Sequence, residues 1–276
     1  MKRLMGLILA STLLCTTGVY ALTDSTSSNY QINVSRGVVL KSEIKQEDGK
    51  DPNYHLSLSY PQLSGDDLDV KVQHFNEAIH QYVSTEITEF ENKVADNTTE
   101  AAKLPAGVNK NSFTLTFSAG SFIAGVNTLV SVRFTKEYFY AGNAHPSHDI
   151  EVYNYNLTGG KRVKLDSLFK PHADYLKVIA DFCKAQLIKR YKNQKTSWTA
   201  NGLAPTTENF DNWNVEPDGL LITFDEYQVA SYVEGQPEVF VPYKTLQSVI
   251  APDAVIAPCL KDPRSCRAVV GVTGDV

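Results

Sequence analysis

Past residue 21 the chain lacks any apolar run long enough to cross a bilayer, which takes about 20 residues. It also lacks a Gly-x-Ser-x-Gly elbow, the usual local signal of a serine hydrolase. Nowhere are four Cys and His residues grouped as structural zinc requires. Cysteine is scarce, with only Cys15, Cys183, Cys259 and Cys266. Positive charge is short as well: the formal net charge is −5. Affinity for phosphates rests on Lys and Arg, so an acidic chain is a poor nucleic-acid binder and better suited to a basic partner.

The N-terminus carries an address. Met1-Lys2-Arg3 is a basic start, residues 4–14 are apolar, and Val19-Tyr20-Ala21 is a small-x-small site before a polar stretch. This is the three-part pattern of a secretory signal peptide over 1–21. A flexible Ser/Thr-rich leader is expected over 22–34. Cys15 would leave with the signal, and loss of Lys2 and Arg3 takes the charge from −5 to −7. The mature chain is expected to be soluble, without a membrane span, and periplasmic or secreted. In an oxidising compartment a bridge is plausible chemistry. Cys259 and Cys266 lie close in a Pro-rich tail, where a local disulfide would staple the segment. Cys183 shares an apolar helical stripe with Leu176, Ile179 and Leu187, as a buried thiol does. Pairing of Cys183 with a tail cysteine stays open, since spacing does not settle connectivity.

Periodicity predicts strands over 37–45 and 54–60, joined by a turn at 47–50 and ended by Pro61. A helix is predicted from the caps and acids of 64–67 to about residue 92, on Val72, Phe75, Ile79, Val83, Ile87 and Phe90. A polar loop follows over 93–110. Strands are read at 112–118, 122–127, 128–140 and 149–157, with a connection at 142–146. A second long helix is predicted from Pro171 to about residue 192. Strands over 210–215, 220–224 and 239–241 and a short helix to 249 complete the chain. The fold class is α+β, antiparallel sheet or sheets packed against two long helices. The expected organisation is a small α+β domain over 35–110, a second over 111–250, and a tail over 251–276.

Several segments are familiar in combination. Tyr60-Pro61-Gln62-Leu63-Ser64-Gly65 precedes Phe75-Asn76-Glu77-Ala78-Ile79. Downstream come Tyr138-Phe139-Tyr140-Ala141-Gly142-Asn143-Ala144-His145-Pro146, then Asn154 to Gly159 and Leu165 to Phe169. Asp218-Gly219-Leu220, the run Phe224 to Tyr232 and Val241-Pro242-Tyr243 close the set. Over roughly residues 35–250 this order resembles the paired domains of unknown function in the RsiV-like anti-sigma factors, which bind lysozyme outside the cell. The same pair accompanies the catalytic domain of PdaC-like peptidoglycan deacetylases. The chain is expected to depart from both, with no anti-sigma segment or membrane span before the pair and no deacetylase domain after it. The resemblance therefore implies fold, envelope location and a binding role, with a lysozyme-like protein or peptidoglycan as partner. It does not imply sigma-factor signalling or deacetylation.

His145, His148 and Asp149 make the one local His-acid cluster. A metal there would need further ligands from elsewhere in the fold; a structured loop needs only Gly142 and Asn143 for unusual backbone angles and Pro146 for the exit. Asp66-Asp67 read as helix N-terminal charges and Asp225-Glu226 as caps of the turn before Tyr227. Among the clustered aromatics, Phe139 is assigned to the core, and Tyr138 and Tyr140 share the opposite strand face. The ligand-binding candidates are thus Tyr138, Tyr140, Gly142, Asn143, His145 and His148, with no cofactor and no catalytic residue. The alternative in another class is an envelope hydrolase acting on peptidoglycan. Its site, with or without a metal, would be built from His145, His148 and acids brought in by folding.

Overall fold

Alternating apolar residues in two stretches of the chain build one long sheet. The computed structural model describes residues 23–24, 31–50, 52–65, 69–105, 108–191 and 197–269. The expected signal peptide, most of the leader, and Asp66 and Asp67 lie outside these residues. Strands β1 (Thr23–Asp24), β2 (Gln31–Ser35), β3 (Val38–Lys50) and β4 (Asn53–Ser64) lead into helix α1 (Val70–Ala101). Then come β5 (Asn111–Ala124), β6 (Asn127–Phe139), β7 (Ser147–Asn156) and β8 (Lys161–Arg162). Helices α2 (Tyr175–Arg190) and α3 (Ser197–Gly202) precede β9 (Trp213–Val215), β10 (Gly219–Thr223) and β11 (Glu238–Pro242). Short helices α4 (Tyr243–Leu246) and α5 (Ala257–Lys261) and strand β12 (Cys266–Ala268) close the chain. The order in the large sheet is β2-β3-β4-β5-β6-β7-β8, with β1 and β12 also on β5. A second sheet has the order β11-β10-β9. The chain is an α+β protein, its largely antiparallel sheets packed against two long helices.

Several elements differ from their sequence reading. The first hairpin does not turn at 47–50, because Gly49 still pairs with Tyr54 and Lys50 with Asn53. Pro61 does not end β4; it lies opposite Ser42. The β4–β5 ladder stops at Leu58, so beyond it a missing N–H costs that ladder no bond. That ladder is parallel, since the chain returns through α1. Helix α1 runs well past residue 92 because Val94 and Ala101 stay buried and continue the Phe90 stripe. Its start is held by Asp69, whose carboxylate accepts from the Lys71 amide at 3.0 Å. Residues 119–121 do not break β5; the turn falls at Gly125, with φ +62. A side chain there is strained.

Alternation along the long strands serves two cores. Phe113, Leu115 and Phe117 of β5 join Val132 and Phe134 of β6 against Phe75, Ile79 and Phe90 of α1. From the opposite face, Phe122, Ala124 and Leu129 join Ile179, Cys183 and Leu187 of α2 and Leu220, Ile222 and Val241 of the small sheet. The one sheet runs through residues on both sides of 110.

Polar residues join the two sheets. The Ser131 hydroxyl lies 2.7 Å from Asn154 Oδ1, and Asn214 Nδ2 donates to Ser131 Oγ at 2.8 Å. Asn154 Oδ1 also accepts from the Val215 amide at 3.0 Å, and its Nδ2 donates to the Trp213 carbonyl at 2.7 Å. All three side chains are buried, so these bonds fix how β9 sits on β6 and β7. At the C-terminal end Cys259 and Cys266 form a disulfide with Cα atoms 5.2 Å apart. Cys183 is a buried free thiol, its pKa pushed up to about 12 by burial.

Candidate functional site

The β6–β7 hairpin places Glu137 directly opposite His148. On this face His148 Nε2 meets a Glu137 carboxylate oxygen at 3.0 Å. Its Nδ1 meets Glu226 Oε1 at 2.8 Å. Glu226 comes from the loop after β10, and its side chain is only 12% exposed. Both ring nitrogens are therefore engaged by carboxylates from two parts of the chain.

Next to Glu226, Asp225 does not cap its own turn with its side chain. Its carboxylate accepts from the Ile150 amide at 3.4 Å and from Asn212 Nδ2 at 3.3 Å. Burial, then the neighbouring Asp149 and Asp211 charges, push its pKa up to about 6. The turn is closed by Gln228, whose amide donates to the Asp225 carbonyl and whose Oε1 accepts from the Asp225 amide at 2.9 Å. The same side chain donates to the carbonyls of Gly202 and Asn209. Gly202 has no room for a Cβ, which would lie 1.9 Å from the Gln228 carbonyl oxygen.

This anchored loop presents two rings, and the β6–β7 connection adds a third in series. Tyr227 and Tyr232 have centroids 5.7 Å apart, and His145 lies 4.7 Å from Tyr232. Tyr227 is 49% exposed and has φ +64, a conformation uncommon outside glycine. Val233, next to Tyr232 in the chain, is exposed as well. The rim is acidic, with Glu137 and Glu234 in these segments; Asp149 lies opposite Lys136 on the α1 side of the sheet, and Glu226 is nearly buried against His148.

The sequence candidates are distributed unevenly on this geometry. His145 and His148 both belong to it, but they do not converge on one point. His145 Nδ1 lies 2.7 Å from the Pro146 carbonyl oxygen. Gly142 takes φ +95 and Asn143 donates its amide to the Tyr140 carbonyl at 2.9 Å; they shape the turn that lifts His145. Tyr138 and Tyr140 point to the other face of the sheet. Tyr138 is buried against Phe113, centroids 4.7 Å apart, and donates its hydroxyl to Glu86 at 2.6 Å. Tyr140 packs near Phe90. Phe139, assigned to the core from its sequence, is only half-buried, because even-numbered β6 residues face α1. Among the described residues no group of three or more His, Cys, Asp or Glu is placed to hold a metal ion. His148 shows why: its two carboxylates bind opposite nitrogens of the ring, which point apart.

Glu137, Tyr232 and the role of Glu226 escaped the residue-by-residue reading. The one signal available was that the 138–146 and 224–232 segments both carried the family resemblance. The structure sets these two segments side by side.

Fold and site together define an α+β protein with a two-segment surface feature at the meeting of its sheets. Two stretches of the chain match known families. Residues 47–148 match the family described as Deacetylase PdaC, and residues 166–244 match a protein of unknown function, DUF3298. The chain is thus similar, over these two stretches, to the PdaC and DUF3298 families. The first match ends at His148; the second contains Glu226, Tyr227 and Tyr232. Among curated relatives, the peptidoglycan-N-acetylmuramic acid deacetylase PdaC of Bacillus subtilis is 24% identical over 74% of this chain. The chain spans only 40% of that protein's length. The immunogenic protein MPT64 of Mycobacterium tuberculosis is 22% identical over 89% of this chain and 97% of its own. Two solved DUF3298 family structures share the fold. One from Bacteroides fragilis has a TM-score of 0.54 at 18% identity, covering 82% of this chain and 99% of its own. One from Pseudomonas aeruginosa has 0.53 at 14%, covering 82% and 97%. Among the described residues no helix is long and apolar enough to cross a membrane.

Proposed function

We propose that this chain is an exported, non-catalytic binding protein of the cell envelope that engages a basic muramidase. The proposed binding face is the His145–Tyr232–Tyr227 ring series with its acidic rim. The carrying observation is that series: rings in mutual contact, one of them strongly exposed, on a loop pinned from below by Gln228 and Glu226. Aromatic anchors on a firm base are what protein interfaces use for most of their affinity. Acid around them favours a cationic partner through faster encounter and charge complementarity. Peptidoglycan is the weaker partner on this argument, because its stem peptides carry carboxylates of their own.

The test is a titration of the purified protein against a basic muramidase, with sedimentation on peptidoglycan as a parallel arm. We expect a muramidase complex that weakens with salt and loses about tenfold or more in affinity with Tyr232→Ala. No complex at low salt would overturn the reading. Binding to peptidoglycan alone, lost with Tyr232→Ala, would keep the face and replace the partner.

A further inference from the structure

A cavity of about 350 Å³ lies away from the ring series, where β7 and β8 meet the start of α2 and the loop before β9. Its size is within the range of small-molecule sites, about 300–1,000 Å³. The inner wall comes from Val152, Val163, Phe210 and Trp213, all buried. Asn154 also reaches it, but both ends of its amide are engaged in the joint between the sheets. Arg162 is occupied too: it donates to the Val152 carbonyl at 2.9 Å and stacks over the Tyr153 ring at 5.0 Å.

Three further charged groups line it. Lys164, Asp166 and Asp211 form no ion pair among the described residues and reach solvent; the Asp211 carboxylate also accepts from its own and the Asn212 backbone N–H. An apolar wall with one ammonium and two carboxylates around it is complementary to a small molecule carrying both charges. A sugar fits less well. The rings of Phe210 and Trp213 are 0% and 5% exposed, and the Tyr175 ring is stacked against Phe169, centroids 4.3 Å apart. Little ring face is left for a pyranose to stack on.

We propose that this cavity is a binding site for a short zwitterionic peptide or free amino acid. The ligand's carboxylate faces Lys164, its ammonium faces Asp166 and Asp211, and its side chain lies against the Val152–Trp213 wall. The site is separate from the ring series and does not depend on the muramidase reading.

Alanylalanine is the probe, followed by titration calorimetry and by the indole N–H resonance of Trp213. The controls are the same dipeptide with both ends capped and a neutral disaccharide. We expect saturable binding of the free dipeptide at millimolar concentration or below, and none of the capped form. Lys164→Glu and the double variant Asp166→Asn/Asp211→Asn should each weaken it about tenfold, with unchanged thermal midpoints because these side chains are exposed. Tyr232→Ala should leave it intact. No saturation with the free dipeptide, equal binding of the capped form, selection of the disaccharide, or indifference to both variants would each overturn the proposal.

Discussion

Glu226 is nearly buried and its carboxylate meets the His148 ring at 2.8 Å. Removing the ring strands that carboxylate, which costs about 1–3 kcal/mol. His148→Ala is therefore expected to lower the unfolding free energy by that amount, seen as a lower urea midpoint with an unchanged slope. His148→Gln, which keeps a donor, should recover part of the loss; an unchanged midpoint in His148→Ala would show that the clasp adds no stability. A second residue sets a pH dependence. Burial, then the Glu238 charge, push the Glu216 pKa from 4.5 up to about 7. The folded state then holds more protons than the unfolded one across that interval, so stability declines as pH rises through it. Asp225, raised from 3.8 to about 6, acts in the same direction. Glu216→Gln is expected to flatten the decline and leave the variant more stable than wild type at pH 8, as urea titrations at pH 5 and pH 8 would show. His148 was legible in the sequence as part of a His-acid cluster. Its partners were not, since one sits across a strand ladder and the other is 78 residues away. Strand parity was misread at Tyr138 and Phe139 because both are aromatic, and aromatic character does not say which face is covered.

At the level of elements, the existence and type of both long helices and most strands could be read from period alone. Their ends could not. Helix α1 continues on Val94 and Ala101 through a stretch too polar to advertise itself, and Asn97 there donates to the Ala141 carbonyl at 3.1 Å. That bond ties the end of α1 to the turn carrying Gly142. Strand β12 was hidden in the tail because it borrows its ladder from β5, pairing Cys266 with Ala124 and Ala268 with Phe122. The disulfide closes the short loop from Cys259 into that strand. By chain entropy, a crosslink with a sequence separation of 7 stabilises by about 2–3 kcal/mol. We expect the double variant Cys259→Ser/Cys266→Ser to lose about that much. Amide exchange should accelerate first in the β12–β5 ladder; exchange rising equally across β6 and β7 would refute this local account.

For the whole molecule, strands β5 and β6 supply side chains to both cores. Neither core closes without them, so the described body is expected to unfold in one cooperative step in urea, with tryptophan fluorescence and far-ultraviolet signals coincident. Two separated transitions would mean that the cores are independent. The sequence reading placed a boundary at residue 110, after the polar 93–110 loop and between the two stretches that carry the family resemblance; a sheet that takes strands from both sides of that point leaves no mark in local pattern. The ring series adds a practical corollary. His145 belongs to one stretch of the chain and Tyr227 and Tyr232 to another, brought together only when the small sheet settles on the large one through Ser131, Asn154 and Asn214. A polypeptide severed in the intervening 158–209 stretch would yield two pieces, each with an incomplete face. Mixing them would restore recognition only if they reassemble, so the protein lends itself to a split-reporter design in which regained binding measures docking of the halves.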